Sequence, residues 1–185
     1  MLLILLTGFE KFNKLNYNLS ALILSKFPNH IRNIQVEKII LPVKWKSCLD
    51  HLHKKLTSTP CVPNLILLTG IHDKNYISVE KRAFNFQLGF DVEGRFRCNF
   101  INLKLPLSIM SNIDFTKLLK ISKEDKIFRL SDYPGLFLCN CLYYNALNYY
   151  KQESYVVFIH FPSSASITSC ISILTLIINS ILPRI

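Results

Sequence analysis

A cysteine, a histidine and a glutamate stand at positions in this sequence where they could do chemistry together. Cys139 follows the segment RLSDYPGLFL and opens a helical pattern. His160 ends the apolar run YVVFI, and Glu80 ends the alternating segment ISVE. A thiol nucleophile, an imidazole base and a carboxylate that orients the imidazole are the parts of a cysteine-dependent hydrolase. The sequence spacing alone leaves open whether the three side chains meet.

Each of these residues also has a purely structural interpretation. Cysteine is among the most buried residue types, and a histidine on an apolar strand can be a hydrogen-bonded core residue. Glu80 could simply pair with Lys81 or Arg82, which follow it. For Cys139, the unpaired N–H groups and positive dipole end of a helix N-terminus predict a lowered thiol pKa.

Short apolar runs alternate with helical patterns along the whole chain. The clearest predicted strands are Leu2–Leu6, Leu65–Leu68 and Tyr155–Phe161, and helical spacing of apolar residues separates them. Uniformly apolar strands separated by helices are typical of a mostly parallel sheet that is covered on both faces. We therefore predict an α/β fold, a single three-layer α/β/α sandwich with a mostly parallel twisted sheet, over residues 1–185.

The candidate residues follow the ends of predicted strands. Such polar or reactive positions are Thr7–Glu10, Gly70 with the loop to Glu80, Cys139 and His160. In open α/β sheets, ligands bind beyond the carboxyl ends of the strands. We expect the functional site at that edge of the sheet.

The two apolar ends of the chain are predicted to pack on the core. The first run, MLLILL, has no basic residue before it and is interrupted by Thr7-Gly8, so a buried strand is favoured over a signal peptide. The last run, Ile167–Leu182, has 16 residues, fewer than the roughly 20 that a membrane span requires. Its polar residues share one stripe, which predicts an amphipathic C-terminal helix at about residues 166–182 and no membrane partner.

Composition excludes several classes of protein. The chain has 185 residues, of which 50% are hydrophobic and 18% charged, and this excludes a disordered or low-complexity chain. Lys and Arg number 22 against 12 Asp and Glu, giving a net charge of +10. Because these cations are spread singly or in pairs, we interpret them as a solvated surface and expect no nucleic-acid partner. The scattered cysteines contain no CxxC pair, so we expect reduced thiols, no metal, no cofactor and a cytoplasmic location.

Several motifs occur in an order that resembles a known enzyme family. They are TGFEKF at Thr7–Phe12 followed by Asn18, LPV at Leu41–Val43, SVEKRAFN after Gly70, SDYPGLFLCN at Ser131–Asn140 and FIHFP at Phe158–Pro162. Together they resemble pyroglutamyl peptidase I (pyrrolidone carboxyl peptidase), a family of cysteine exopeptidases. The resemblance runs from the first strand to Pro162 and implies a three-layer α/β sandwich.

The resemblance also implies roles for individual residues. Cys139 matches the nucleophile, His160 the base and Glu80 the residue that orients the base. The implied substrate-binding residues are Phe9 and Phe12, the aromatic pair that holds the pyrrolidone ring, and Asn18, near that pocket. The implied substrates are small peptides that carry an N-terminal pyroglutamate, and the oligomeric state is left open.

The chain departs from the family pattern at several places. Asn13-Lys14 stand where the family usually has Gly-Gly, and Ile71 stands where some members carry a glutamine that can bond the lactam. The loop after His160 is shorter than the family's. These departures affect the shape of the pocket more than the triad.

Two other functions are compatible with the sequence. A catalytically weak or inactive pyroglutamyl-peptidase-like binding protein would explain the positive charge and the altered loops, and its binding would fall steeply with salt. A thiol hydrolase that acts on a different small amide or ester would use the same residues.

Overall fold

The computed structural model describes residues 2–12, 17–125 and 128–182. Asn13 and Lys14, where the chain departs from the family pattern, lie outside the described residues. The strands are β1 (Leu2–Phe9), β2 (His30–Ile31), β3 (Ile34–Leu41), β4 (Leu65–His72), β5 (Ile77–Glu80), β6 (Arg82–Phe84), β7 (Gln87–Phe90), β8 (Phe96–Asn99), β9 (Ser108–Met110), β10 (Phe128–Ser131) and β11 (Tyr155–Pro162). The helices are α1 (Leu19–Lys26), α2 (Trp45–Thr57), α3 (Thr116–Asp125), α4 (Leu138–Tyr150) and α5 (Ile167–Ile181).

Seven strands form the central sheet, in the order β10-β5-β11-β4-β1-β3-β2. The pairs β1–β3, β1–β4, β4–β11 and β5–β10 are parallel, whereas β5–β11 and β2–β3 are antiparallel. The central strands are buried on both faces: Leu3–Leu6 and Leu65–Leu68 have no exposed surface. This two-sided burial explains why these strands are continuous apolar runs in the sequence.

Helices cover both faces of the sheet. One core cluster contains residues of α1, α3 and α5, and the other contains residues of α2 and α4. The predicted α/β sandwich with a mostly parallel sheet is confirmed.

The C-terminal helix docks on the first core cluster. Ser166 caps α5 by accepting a hydrogen bond from the backbone N–H of Ser169, and the helix buries Cys170, Leu174 and Ile178. Residues 163–166 connect β11 to this helix. Within the described ranges, no helix combines the length and the apolar character needed to cross a bilayer.

Two small two-stranded sheets accompany the central sheet. The strands β6 and β9 pair with each other, as do β7 and β8. Asp91, in the β7–β8 turn, accepts hydrogen bonds from the backbone N–H groups of Trp45, Glu93 and Arg95. These bonds fix the β7–β8 hairpin against the start of α2.

Candidate active site

Strand register brings the candidate residues to one face of the sheet. Gly70 of β4 is paired with His160 of β11, and His160 is also paired with Ser78 of β5. Glu80 is paired with Phe158, two residues before the histidine. Directly opposed residues point to the same face of a sheet, as do residues two apart on one strand. All these side chains therefore lie on the face that α4 covers.

His160 and Glu80 form a buried pair. The Nδ1 atom of His160 lies 2.9 Å from Oε1 of Glu80, and the hydroxyl of Ser78 donates to the same oxygen over 2.8 Å. The two side chains are only 5% and 1% exposed. The hydroxyl of Tyr143 donates to the backbone carbonyl of Glu80 over 2.9 Å, which fixes the strand at this point.

The charge state of Glu80 decides the orientation of the histidine. Burial raises the pKa of Glu80, but the hydrogen bond and charge of His160, with Ser131 and Ser78, outweigh this effect and lower it below its usual value. The carboxylate can only accept hydrogen bonds, so the Nδ1 atom of His160 carries the proton of this bond. The Nε2 atom is then left to exchange protons with a substrate or a thiol.

Cys139 is the second residue of α4, and its sulfur lies over Gly70. A Cβ atom built on Gly70 would be 3.0 Å from the Sγ atom of Cys139 and 3.1 Å from the ring of Phe158. Because Gly70 is in register with His160, the sulfur lies above the strand next to the histidine. The described contacts include no hydrogen bond between the sulfur and His160, so proton transfer between them requires the thiol to turn toward the ring.

The thiol of Cys139 is neutral in the free protein. Burial, with the negative charge of Glu80 as a second cause, raises its pKa to about 12, and a backbone N–H acts in the opposite direction. The prediction of a lowered pKa from the helix N-terminus is therefore wrong, because the loss of hydration outweighs the helix dipole. A neutral thiol must give its proton to a base before it can act as a nucleophile.

The helix that carries the sulfur begins with free backbone N–H groups. Helix α4 begins without a side-chain cap, and within the described chain the backbone N–H groups of Leu138 and Asn140 have no acceptor, whereas that of Cys139 interacts with its own thiol. The side chain of Asn140 ties this first turn to the β6 region, accepting from the N–H of Phe84 and donating to the carbonyls of Phe84 and Phe86. The helix start is thus held in place while its own N–H groups stay available to an oxyanion.

A small apolar cavity of about 110 Å³ opens beside the thiol. Its lining residues are Phe9, Phe12, Asn18, Val43, Ile71, Phe137, Leu138 and Cys139. The three residues expected to bind substrate are thus together, and Ile71 also faces the cavity. Within the described chain, no three His, Cys, Asp or Glu side chains are grouped to hold a metal ion.

Asn18 holds the cavity wall through its own hydrogen bonds. Its Oδ1 atom accepts from the backbone N–H and the hydroxyl of Ser20, and its Nδ2 atom donates to the carbonyl of Glu10. It is thereby the N-cap of α1 and the connection between that helix and the end of β1.

Sequence reasoning missed Phe137, which forms one side of the cavity. Its ring centroid lies 5.5 Å from that of Phe12 and 5.2 Å from that of Trp45. Gly89, at φ 128°, makes room for it, since a Cβ atom there would be 2.8 Å from the ring. Its position in the LFLC motif, two residues before Cys139, was the available signal.

His72 and Ser78 were missed as well. The sequence places His72 in a polar loop, but it is the last residue of β4. Residues two apart on a strand share a face of the sheet. This spacing puts His72 on the face of Gly70 and Ser78 on the face of Glu80, and it could have identified both residues.

Comparison with known proteins shows the family of the chain. A family model described as pyroglutamyl peptidase matches residues 2–171. The chain belongs to this family. It is therefore a cysteine-type exopeptidase, as the resemblance implied.

Curated relatives of this peptidase support the assignment. The chain is 30% identical over 171 residues to the pyrrolidone-carboxylate peptidase of Brachyspira hyodysenteriae, covering 85% of this chain and 82% of the relative. It is 26% identical to that of Alkaliphilus oremlandii over 172 residues, covering 86% of this chain and 78% of the relative.

Solved structures of pyrrolidone carboxyl peptidases have the same fold. The structure from Thermus thermophilus superposes with a TM-score of 0.85 at 24% identity, covering 96% of this chain and 99% of the other. The structure from Thermococcus litoralis gives 0.88 at 23% identity, covering 98% of this chain and 93% of the other.

Proposed function

We propose that the protein removes an N-terminal pyroglutamyl residue from small peptides, with Cys139 as nucleophile, His160 as general base and Glu80 as the residue that orients the base. The observation that carries this proposal is the position of the Cys139 sulfur. It lies between a small apolar cavity on one side and the strand that carries His160 on the other. A ring bound in that cavity would have its exocyclic carbonyl near the sulfur.

The reaction begins with the neutral thiol. The Nε2 atom of His160 takes the thiol proton as the sulfur attacks the carbonyl carbon that joins pyroglutamate to the next residue. The negative charge of Glu80 stabilises the imidazolium that forms. The N–H groups at the start of α4 can donate to the oxyanion, and losing one such donor typically costs about 3–4 kcal/mol of barrier.

The tetrahedral intermediate then collapses. The C–N bond breaks, His160 returns its proton to the leaving amine, and a thioester joins the pyroglutamyl group to Cys139. Water attacks this thioester with His160 again as base, which releases pyroglutamate and restores the thiol.

The apolar cavity supports selection of a cyclic, uncharged residue. Phe9, Phe12 and Phe137 offer aromatic surface to a flat lactam. An acyclic N-terminal glutamate would have to bury an ammonium and a carboxylate there, and among the residues that the structure describes the lining has no charged side chain to pair with either.

Turnover of a pyroglutamyl fluorogenic amide by the pure protein tests this proposal. We expect hydrolysis of the pyroglutamyl amide, none of the matching glutamyl amide, and loss of turnover in Cys139→Ala. Cys61→Ala is the matched control, because Cys61 is an exposed cysteine outside the cavity. Unchanged turnover in Cys139→Ala would refute the proposal, whereas hydrolysis of other small amides only would favour a different thiol hydrolase.

A further inference from the structure

A second histidine lies against the proposed catalytic pair. The ring of His72 is stacked on that of His160, with centroids 5.4 Å apart and planes inclined by 13°. The Nε2 atom of His72 lies 3.1 Å from the hydroxyl oxygen of Ser78. That hydroxyl in turn donates to Oε1 of Glu80, the oxygen that also accepts from His160. A continuous hydrogen-bonded chain therefore runs from His72 to the carboxylate.

The direction of each hydrogen bond in this chain follows from its donors. Glu80 is ionised and can only accept, and Ser78 has a single hydroxyl proton, which it gives to Glu80. The oxygen of Ser78 can therefore only accept from His72. This requires the proton of His72 to be on Nε2. Ser78 and His160 then both donate to Oε1 of Glu80. In a chain of hydrogen bonds, each bond polarises the next and so strengthens it.

We propose that His72 is a positioning residue of the catalytic centre, which fixes the Glu80 carboxylate through Ser78 and the ring of His160 by stacking. This inference rests on the proposed function. His72 touches neither the cavity nor the sulfur in the described contacts, so its effect on the reaction passes through these two partners. His160 and Ser131 also bond the Glu80 carboxylate, and His72 adds a third constraint through Ser78.

The surroundings of His72 hold it neutral. Burial lowers its pKa, and the neighbouring charge of His160 lowers it further. Its Nδ1 atom is buried and has no partner within the described chain. Protonating Nδ1 would therefore bury an unpaired N–H group beside a histidine that becomes an imidazolium during the reaction. A neutral ring with its proton on Nε2 satisfies the network.

Two substitutions separate the hydrogen bond from the stacked ring. His72→Phe keeps an aromatic ring and removes the donor, and we expect kcat to fall about tenfold with KM unchanged, as for the loss of one hydrogen bond in the transition state. His72→Gln keeps a donor where Nε2 lies, and it is expected to restore most of that loss. His51→Gln is the control, because His51 is exposed on α2.

A double-mutant cycle tests whether His72 acts through Ser78. If it does, His72→Phe in the Ser78→Ala background should lower kcat no further than Ser78→Ala alone. Full additivity of the two losses would overturn the proposal. So would a rise in KM with kcat unchanged in His72→Phe. Melting temperatures of all variants show whether a loss of rate reflects a loss of fold.

A nitrogen-15 NMR measurement decides the inference independently of activity. Near neutral pH, the ring of His72, assigned by its absence from the His72→Phe spectrum, should be neutral with its proton on Nε2. A proton on Nδ1, or on both nitrogens, would overturn the inference. If the wild type hydrolyses no pyroglutamyl amide, the proposed function fails, and the NMR result still tests the network.

Discussion

Replacing Gly70 by alanine perturbs the proposed site at a single point. The new Cβ atom would lie 3.0 Å from the Cys139 sulfur and 3.1 Å from the ring of Phe158. Favourable contacts between such atoms occur at about 3.5–4.0 Å, so the sulfur must move by a few tenths of an ångström. The ring of Phe158, whose centroid lies 4.5 Å from that of His160, must move with it.

This displacement should affect the rate more than the fold. A misplacement of about 1 Å can cost a factor of about 100 in rate, so with a shift of a few tenths of an ångström we expect kcat of Gly70→Ala to fall by up to about 10-fold. Overpacking of a core typically costs about 1–3 kcal/mol of the free energy of unfolding. The protein should therefore stay folded while its turnover falls.

Gly94→Ala provides a control of matched stability. Gly94 has φ 75°, and a Cβ atom there has no neighbour within 4 Å. A left-handed alanine costs about 1–2 kcal/mol, similar to the cost expected at Gly70. Urea unfolding should show similar destabilisation in both variants. Turnover of a pyroglutamyl amide should show a lower kcat in Gly70→Ala alone. Wild-type kcat in Gly70→Ala would refute the placement of the sulfur over Gly70.

Three further predictions concern single side chains. Burial and the charge of Glu80 raise the pKa of Cys139 to about 12. The rate at which iodoacetamide alkylates Cys139, measured by peptide mass spectrometry, should therefore keep rising up to strongly alkaline pH. A rate that reaches a plateau below neutral pH would contradict this. Glu80→Gln should lower kcat by about 10³-fold or more. Folding lowers the pKa of Glu80, so its ionised carboxylate stabilises the wild type above pH 4.5. The difference in urea midpoint between the wild type and Glu80→Gln should therefore be largest at neutral pH and should shrink as the pH falls below 4.5. Phe137→Leu should raise KM more than it lowers kcat, and an unchanged KM would remove this ring from the binding site.

The fold followed from the sequence because its strands are buried on both faces. Leu3–Leu6 and Leu65–Leu68 are continuous apolar runs for this reason, and helical spacing separates the strands that need crossover connections. The C-terminal helix was predicted by the same periodicity. Its buried residues include Leu174 and Ile178, and the cap is Ser166.

The network around Glu80 could not be predicted, because it depends on which strands pair. The sequence of ISVE does not specify which strands pair with it. In the structure, β5 is antiparallel to β11 and parallel to β10. Only this register sets Ser78 opposite His160 and so connects His72 to the carboxylate. Likewise, the burial that raises the Cys139 pKa is a property of the packed sheet edge, which a helix pattern does not report.

The most direct test of the account is detection of the covalent intermediate. The wild-type protein is mixed with a pyroglutamyl amide, quenched in acid before steady state, digested, and analysed by mass spectrometry. The account predicts one pyroglutamyl group on the peptide that contains Cys139, and none in Cys139→Ala. Burst release of the amine with no adduct on Cys139, or with the adduct on another cysteine, would contradict it.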